Sequence, residues 1–343
     1  MDGKKSKPIG VVAYWKYILL AVVSGIAVFG VLFTGGRGAN LNAQRNTDST
    51  AQHQNSNYTI HRLKGYTKIK PIISVEPEAP LPILLPLVNS LGALIDSLKA
   101  DGNVTQASVY IKEFEHGSWV AVNGDDRYHP ASLMKVALLL SYLKLVEADP
   151  SMLKRELLFD PPPNAQINDQ YYKAPTIKRG KKYTVHELLY YMIAYSDNNA
   201  TWVLASHFDN SYLKKLFNDF DLPEPVEDDL KFTLSPKEVA VFFKVIFSAS
   251  YLSPEFSEYA ADLLSNCSFK EGFVKGFPPN TQLWHKFGEW RQVGYDYELH
   301  ESGVFYIGDQ PYLLTIMTKG KDTDKLAESI RILSGKVYRS LAP

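Results

Sequence analysis

The sequence predicts an α+β domain of three layers, with an antiparallel sheet between helices, and two observations support this prediction. Residues 106–114 alternate in polarity and are rich in β-formers, and three further strand-like runs lie near the C-terminus. Segments with helical periodicity lie between these two groups of strands. Strands at both ends of a domain with helices inserted between them are typical of an α+β fold in which the terminal strands share one sheet.

The individual elements follow from local patterns. In chain order, we predict helices over residues 83–100, 132–148, 184–194, 198–208, 235–247 and 322–341, and strands over residues 106–114, 119–122, 282–287, 303–307 and 312–318. The second helix is apolar on nearly every side, which indicates a helix buried all round. The third begins with the capping box Thr184-x-x-Glu187. Residues 160–182, rich in Pro, Asn and Lys, predict a loop.

The composition is that of an ordinary globular protein, and it argues against several kinds of function. Of 343 residues, 45% are hydrophobic and 22% are charged, and 37 basic residues balance 37 acidic ones. No charge argument therefore favours nucleic acid as a partner. The single cysteine, Cys267, cannot form an intramolecular disulfide, and the eight histidines show no H-E-x-x-H pattern. We expect no metal and no cofactor, and we take the domain to be a monomer.

The first 81 residues differ in character from the rest. Residues 17–33 are apolar and uncharged, four lysines precede them, and their length reaches the lower limit for crossing a bilayer. A positive flank of this kind stays in the cytoplasm, which places the bulk of the chain outside the cell membrane. We predict a cytoplasmic tail (1–16), a single transmembrane helix (17–33), a flexible linker (34–81) and an extracytoplasmic domain (82–343). A cleaved signal peptide is the alternative for the apolar segment.

The motif S-x-x-K occurs four times, and chemical context distinguishes one copy. The four pairs are Ser132/Lys135, Ser141/Lys144, Ser151/Lys154 and Ser211/Lys214. Ser132 opens the most apolar helix of the chain, where the positive end of the helix dipole favours developing negative charge. Lys135 follows on the same helix face, and burial there favours its neutral form, which can accept a proton. We interpret Ser132 as a nucleophile and Lys135 as its base.

Two further short motifs follow along the chain. Ser196-Asp197-Asn198 occurs once, between two predicted helices, where a hydroxyl and an amide can point together into a cleft. An N-cap for the second of these helices is the structural alternative. Lys286-Phe287-Gly288 is one of three K-x-G triplets, but it is the one that lies in a strand-like run. A glycine at such a position allows a substrate backbone to approach closely.

In this order and context, the three motifs resemble the signatures S-x-x-K, S-D-N and K-T-G of the class A β-lactamase and penicillin-binding protein superfamily. The resemblance covers roughly residues 83–343. It includes the runs ASLMKVALLLSYLKLVE and YTVHELLYYMIAYSDNNAT, and the ending from HKFGE through GVFYI to PYLLTIMTKG. It implies the class A β-lactamase fold and a membrane-anchored serine hydrolase that forms an acyl-enzyme and hydrolyses β-lactam amide bonds.

The resemblance implies catalytic roles for four residues. Ser132 attacks an amide carbonyl and becomes acylated, and Lys135 takes or relays its proton. Ser196 passes a proton to the leaving nitrogen. Lys286 supplies positive charge near Ser196 and near the carboxylate of the substrate.

It also implies residues that bind the substrate, which would be a β-lactam or a peptide of peptidoglycan. Asn198 holds a substrate amide, and Gly288 lets the substrate approach the strand. The backbone N–H groups of Ser132 and Glu289 form an oxyanion hole.

Two positions depart from the family pattern. Phe287 stands where the family has Thr or Ser, so that a hydroxyl expected to bind the substrate carboxylate is missing. The family also uses a loop glutamate to activate water for deacylation, and Glu224 is the candidate here, with Glu227 as another. An ordinary acidic surface loop is the alternative. Without a deacylation base, the acyl-enzyme would persist as in a penicillin-binding protein.

These departures leave three hypotheses for function. The first is hydrolysis of β-lactams, and the second is a D-alanyl-D-alanine peptidase of the penicillin-binding type. The third is a degenerate domain without catalysis that binds the cell wall. The lifetime of a covalent adduct on Ser132 separates the first two, and absence of any adduct would support the third.

Overall fold

The described elements follow the predicted order. The structure is a computed structural model and describes residues 58–64, 68–69, 71–77, 84–115, 117–163, 165, 167, 170–225 and 231–342. The strands are β1 (Tyr58–Arg62), β2 (Ile72–Pro77), β3 (Gln106–Glu113), β4 (Trp119–Val122), β5 (Glu156–Leu158), β6 (Lys182–Thr184), β7 (Leu283–Trp290), β8 (Tyr297–Ile307) and β9 (Gln310–Gly320). The helices are α1 (Leu85–Ala100), α2 (Met134–Ala148), α3 (Val185–Ala194), α4 (Asn198–Ser206), α5 (Asn210–Asp219), α6 (Pro236–Phe247), α7 (Pro254–Ser265), α8 (Phe273–Gly276) and α9 (Thr323–Leu341).

Strands from the two ends of the domain form one antiparallel sheet of order β4-β3-β9-β8-β7. The hairpin β3–β4 joins the C-terminal meander β7–β8–β9 through the pairing of β3 with β9. Strand β7 lies at the edge of this sheet, so one of its sides faces the helical part of the molecule or solvent instead of another strand. The predicted α+β architecture, with a sheet flanked by helices, is confirmed.

Each face of the sheet packs against its own layer of helices. On one face, Leu91 of α1 and Ile330 of α9 are fully buried against Val109 and Ile316 of the sheet. On the other face, a larger core contains Leu139 of α2 together with residues of α3 to α7, and it reaches the sheet at β7, β8 and β9. Burial of apolar surface on both faces stabilises the three layers.

Local signals fixed the helix starts well. The capping box of Thr184 and Glu187 is present at the start of α3, and Ser235 and Glu238 form a second one at α6. Helices α5, α7 and α8 and strands β5 and β6 were not predicted. Helix α5 is mostly polar but amphipathic, because Leu213, Leu216 and Phe217 form a buried stripe at the i, i+3, i+4 spacing of a helix. The sequence therefore carried a signal for this helix that the prediction missed.

The prediction of a flexible linker over residues 34–81 is corrected for the part that the structure describes. Strands β1 and β2 pair there as an antiparallel hairpin, and Ile73 is 3% exposed because it packs on the main core. Several prolines lie in and after this segment, which is why the sequence predicted a linker there. The predicted transmembrane segment, residues 17–33, lies outside the described residues. Among the described helices, none combines the length and apolarity needed to cross a membrane.

Candidate active site

The predicted nucleophile lies on a tight turn that leads into a buried helix. Residues 131–133 form a 3-10 turn, and α2 follows at once. We call residues 129–133 the nucleophile turn. Ala131, directly before Ser132, has a φ of 50°, in the left-handed region that few residues other than glycine adopt. Ser132 is half-buried, whereas the next residue of the motif, Lys135, is 4% exposed.

Lys135 joins the first motif to the second. Its Nζ is 3.2 Å from Ser196 Oγ and 2.6 Å from Asn198 Oδ1, and it also donates to the backbone carbonyl of Ser196. The hydroxyl of Ser132 is not among the hydrogen-bond partners described for this amine. The first two motifs are thus joined by direct contacts of Lys135 with Ser196 and Asn198.

The electrostatic surroundings favour the neutral amine of Lys135. Burial lowers its pKa well below the ordinary value, and the nearby positive charge of Lys286 lowers it further. The carboxylates of Asp197 and Glu289 oppose this shift. A neutral amine beside a serine hydroxyl can accept a proton, as the sequence predicts for Lys135.

In the second motif, one residue stabilises the loop and the other two contact Lys135. Ser196 has a φ of 55°, which turns the chain between α3 and α4. Asp197 caps α4, and its carboxylate accepts hydrogen bonds from Asn199 N (3.0 Å), Ile177 N (2.9 Å) and Thr176 Oγ1 (2.8 Å). Asp197 therefore holds the loop, while its two neighbours contact Lys135.

The other three S-x-x-K copies are in ordinary structural contacts. Ser141 donates to the carbonyl of Ala137 within α2, and Lys144 pairs with Glu147. Ser151 bonds to the capping carboxylate of Asp149, and Ser211 lies in the exposed first turn of α5. These contacts assign structural roles to the other copies, and Ser132 stays the predicted nucleophile.

The third motif places its glycine against the nucleophile turn. A Cβ atom added to Gly288 would lie 3.0 Å from both Leu133 N and Pro130 O, and 3.1 Å from Ser132 N. Any larger residue would displace this turn from the strand. Strand β7 thus approaches the nucleophile backbone to backbone, and Glu289 follows at the next position.

Lys286 is buried on the same side of β7 but contacts neither Ser196 nor solvent. Its Nζ donates to Phe287 O at 2.9 Å and lies 4.3 Å from the centre of the Phe287 ring. Burial lowers its pKa to about 8, although the charges of Cys267, Glu289 and Glu301 raise it. The predicted proximity of Lys286 to Ser196 is therefore not among the contacts of this structure, while its charge does act on Lys135.

Phe287 belongs to the core and not to the cleft. It is 2% exposed, and its ring stacks on Phe269 at a centroid distance of 4.5 Å, with Tyr172 edge-on at 6.2 Å. Arg291, the nearest arginine after this motif, stacks on Tyr171 and Tyr297. The third motif therefore keeps the lysine and the close glycine but has lost the carboxylate-binding hydroxyl.

The loop predicted over residues 160–182 contributes contacts that sequence reasoning missed. Gln170 Nε2 donates to Ser196 O at 2.6 Å, and Tyr171 N donates to Glu289 Oε1 at 2.6 Å. Burial raises the pKa of Glu289, even though hydrogen bonds from Tyr171 and Tyr172 lower it. These residues join the second motif to the third. No local signal in a polar, proline-containing loop could have identified them.

The structure describes one of the two candidate deacylation bases. Glu224 is exposed, and no contact described for it reaches Ser132 or Lys135. Glu227, the other candidate, lies outside the described residues. Within residues 221–225, the described part of this loop, no glutamate has a described contact with Lys135.

The fold and site define a class: a serine hydrolase domain with an S-x-x-K nucleophile turn between a helical region and a sheet edge. The chain belongs to the Beta-lactamase enzyme family, whose model matches residues 87–341. No curated protein sequence matches it.

Solved structures of this class share the fold. An acyl-enzyme complex of the L158E mutant of PBP-A with penicillin G is 23% identical, with a TM-score of 0.61, and the match covers 77% of this chain and 97% of that one. A β-lactamase from Xanthomonas campestris pv. campestris is 16% identical, with a TM-score of 0.62, over 75% of this chain and 99% of that one. A class A β-lactamase from Mycobacterium abscessus is 16% identical, with a TM-score of 0.58, over 73% and 98%.

Proposed function

We propose that the domain is a penicillin-reactive serine hydrolase that forms an acyl-enzyme on Ser132. The observation that carries this proposal is the buried contact of Lys135 with Ser196 and Asn198, one helical turn from Ser132. The neutral amine of Lys135 accepts the proton of Ser132 as its oxygen attacks the amide carbonyl. The backbone N–H groups of Ser132 and Glu289 stabilise the oxyanion that forms.

The second half of acylation follows from the same contacts. When the carbon–nitrogen bond of the amide breaks, the hydroxyl of Ser196 gives its proton to the departing nitrogen. Ser196 regains a proton from Lys135, whose Nζ is 3.2 Å from its oxygen. Lys135 thus returns to its neutral form, and the acyl group remains as an ester on Ser132.

The test is intact-mass spectrometry of the full-length chain after mixing with a penicillin. We expect an adduct with the mass of the whole penicillin in the wild type and none in Ser132→Ala. Ser141→Ala is the matched control, because it removes the serine of another S-x-x-K copy on the same helix, and it should label like the wild type. An adduct that survives in Ser132→Ala would disprove the assignment.

We further propose that the acyl-enzyme is long-lived, as in a penicillin-binding peptidase, instead of being hydrolysed quickly. Support comes from Glu224, which is exposed and has no described contact with Lys135. The adduct mass is followed over time after excess penicillin is removed, beside the rate of penicillin consumption. Persistence over many minutes is expected. Consumption of many penicillin molecules per enzyme in that time would instead establish β-lactamase activity.

We also propose a location at the cell membrane, with residues 17–33 as a single-pass anchor and the domain outside. The support is the apolar, uncharged segment behind four lysines. Alkaline washing of membranes from cells that express the full-length chain should leave the protein in the pellet, whereas a chain lacking residues 1–33 should be released. Release of both would contradict the anchor.

A further inference from the structure

Three buried titratable side chains lie in or directly beneath the nucleophile turn and have no part in the chemistry described above. They are His129 of the turn itself, and Glu298 and His300 of β8, with exposed fractions of 3%, 5% and 0%. Buried ionisable groups are costly to desolvate, so they are retained where their hydrogen bonds are satisfied. All three side chains have hydrogen-bond partners, and these partners include backbone groups of the nucleophile turn.

Both peptide groups of His129 are held by side chains of β8. The backbone N–H of His129 donates to Glu298 Oε2 at 2.8 Å. The backbone carbonyl of His129 lies 2.9 Å from His300 Nε2. A segment outside regular secondary structure is thereby fixed to a strand by two side chains, in place of the ladder bonds that a paired strand would give it.

The hydrogen bonds of His300 determine its tautomer. Thr318 N donates to His300 Nδ1 at 3.2 Å, so this nitrogen carries no proton. The proton is therefore on Nε2, which donates to His129 O and lies 3.2 Å from Glu298 Oε2. In this arrangement His300 lies between the carbonyl of His129 and the Glu298 carboxylate, and it orients the carboxylate that binds the neighbouring peptide group.

Glu298 is ionised in the same network. Burial raises its pKa, but the hydrogen bond from His300 and the charge of Lys319, whose Nζ is 3.3 Å away, bring it below the ordinary value. An ionised acceptor makes the bond to His129 N–H stronger than a neutral one would.

The side chain of His129 contacts the residue directly before Ser132. Its Nδ1 accepts from Ala131 N at 3.3 Å, and its ring stacks on Trp290 of β7 at a centroid distance of 5.0 Å. Ala131 is the residue with left-handed backbone next to Ser132. For a residue with a Cβ atom this conformation is unfavourable, so it persists only where surrounding contacts impose it.

We propose that Glu298 and His300 are positioning residues that hold the nucleophile turn in its left-handed conformation, so that Ser132 and its N–H face the substrate carbonyl. The inference rests on the proposed acylation of Ser132. It assigns the two residues no contact with substrate. Their effect is on the geometry of attack, where a displacement of about 1 Å changes rates by roughly 100-fold.

The experiment measures acylation of the full-length chain by a fluorescent penicillin in stopped flow, with the first-order acylation step and the initial dissociation constant resolved separately. In Glu298→Ala and His300→Ala we expect the acylation step to slow by about 100-fold while the dissociation constant changes by no more than about threefold. Glu298→Gln and His300→Gln keep an acceptor and a donor for the His129 peptide groups. They should recover most of the rate, and they serve if an alanine variant fails to fold.

Thr315→Val is the matched control, because Thr315 is also fully buried in the sheet and hydrogen-bonds with Ser302 at 2.7 Å, without a described contact to the turn. Its acylation should remain at the wild-type rate. Hydrogen–deuterium exchange of the peptide covering residues 129–134 gives a second readout, and exchange should speed up in Glu298→Ala. Unchanged acylation and exchange in folded Glu298 and His300 variants would overturn the inference while leaving Ser132 as the nucleophile. If the wild type forms no adduct, the proposed function and this inference both fail.

Discussion

Lys135→Ala is expected to reduce the rate of Ser132 acylation by about 100- to 10,000-fold, the usual contribution of a positioned general base. The amine is buried, its pKa is lowered by that burial and by Lys286, and it contacts the Ser196 hydroxyl, which we propose protonates the leaving nitrogen. Loss of the amine therefore removes both proton transfers. The measurement is the acylation rate with penicillin in stopped flow, alongside thermal unfolding to verify that the variant is folded.

Two further variants separate a base from a mere positive charge. Lys135→Arg keeps a charge that cannot be removed near neutral pH, so it should be as inactive as Lys135→Ala. Lys144→Ala removes the half-exposed lysine of the second S-x-x-K copy on α2 and should leave acylation unchanged. Acylation by Lys135→Arg at the wild-type rate would show that Lys135 acts through charge alone.

The pH dependence of the wild type has a definite sign. Because the pKa of Lys135 is lowered, the neutral amine is already populated at pH values well below the ordinary pKa of lysine. Acylation should therefore persist at pH values well below the ordinary pKa of lysine and be lost as the pH falls through the lowered pKa. A rate that keeps rising up to the ordinary pKa of lysine would contradict the burial argument.

Asp197→Ala is expected to destabilise the domain by about 3–5 kcal/mol, since hydrogen bonds to a charged group contribute roughly 1.5–3 kcal/mol each and buried donors are left without partners. The carboxylate is 2% exposed and accepts from Ile177 N, Asn199 N and Thr176 Oγ1. Its loss frees both the cap of α4 and the loop that packs against it. Chemical denaturation gives the free energy of unfolding.

Asp209→Ala is the matched control for the cap alone. Asp209 also caps a helix, accepting from Ser211 N at 2.9 Å, but it lies at an exposed site. Its replacement should destabilise by about 1 kcal/mol, the usual value of an N-cap. Equal losses in the two variants would mean that Asp197 acts as a cap and no more.

Much of this protein could be predicted from local patterns. The sheet strands, the buried helix after Ser132 and the capping box at Thr184 depend on residues close in the sequence, and each was predicted close to its place in the structure, except that β8 begins at Tyr297 and not at Gly303. The linker was predicted less well, because β1 and β2 obtain their order from pairing with each other and from Ile73 in a distant core. Because this pairing depends on both strands together, neither strand alone has a sequence pattern that predicts it.

The same division holds within the site. The sequence by itself predicted which residues would carry the chemistry, since Ser132, Lys135, Ser196 and Asn198 could be selected by motif order and by the apolar helix around Lys135. Only the tertiary structure decided that Phe287 turns into the core, that Glu224 stays in solvent, and that Glu298 and His300 hold the turn of Ser132. The physical reason is that hydrogen bonds, burial and pKa shifts depend on neighbours more than 150 residues away in the chain, such as His129 and Glu298.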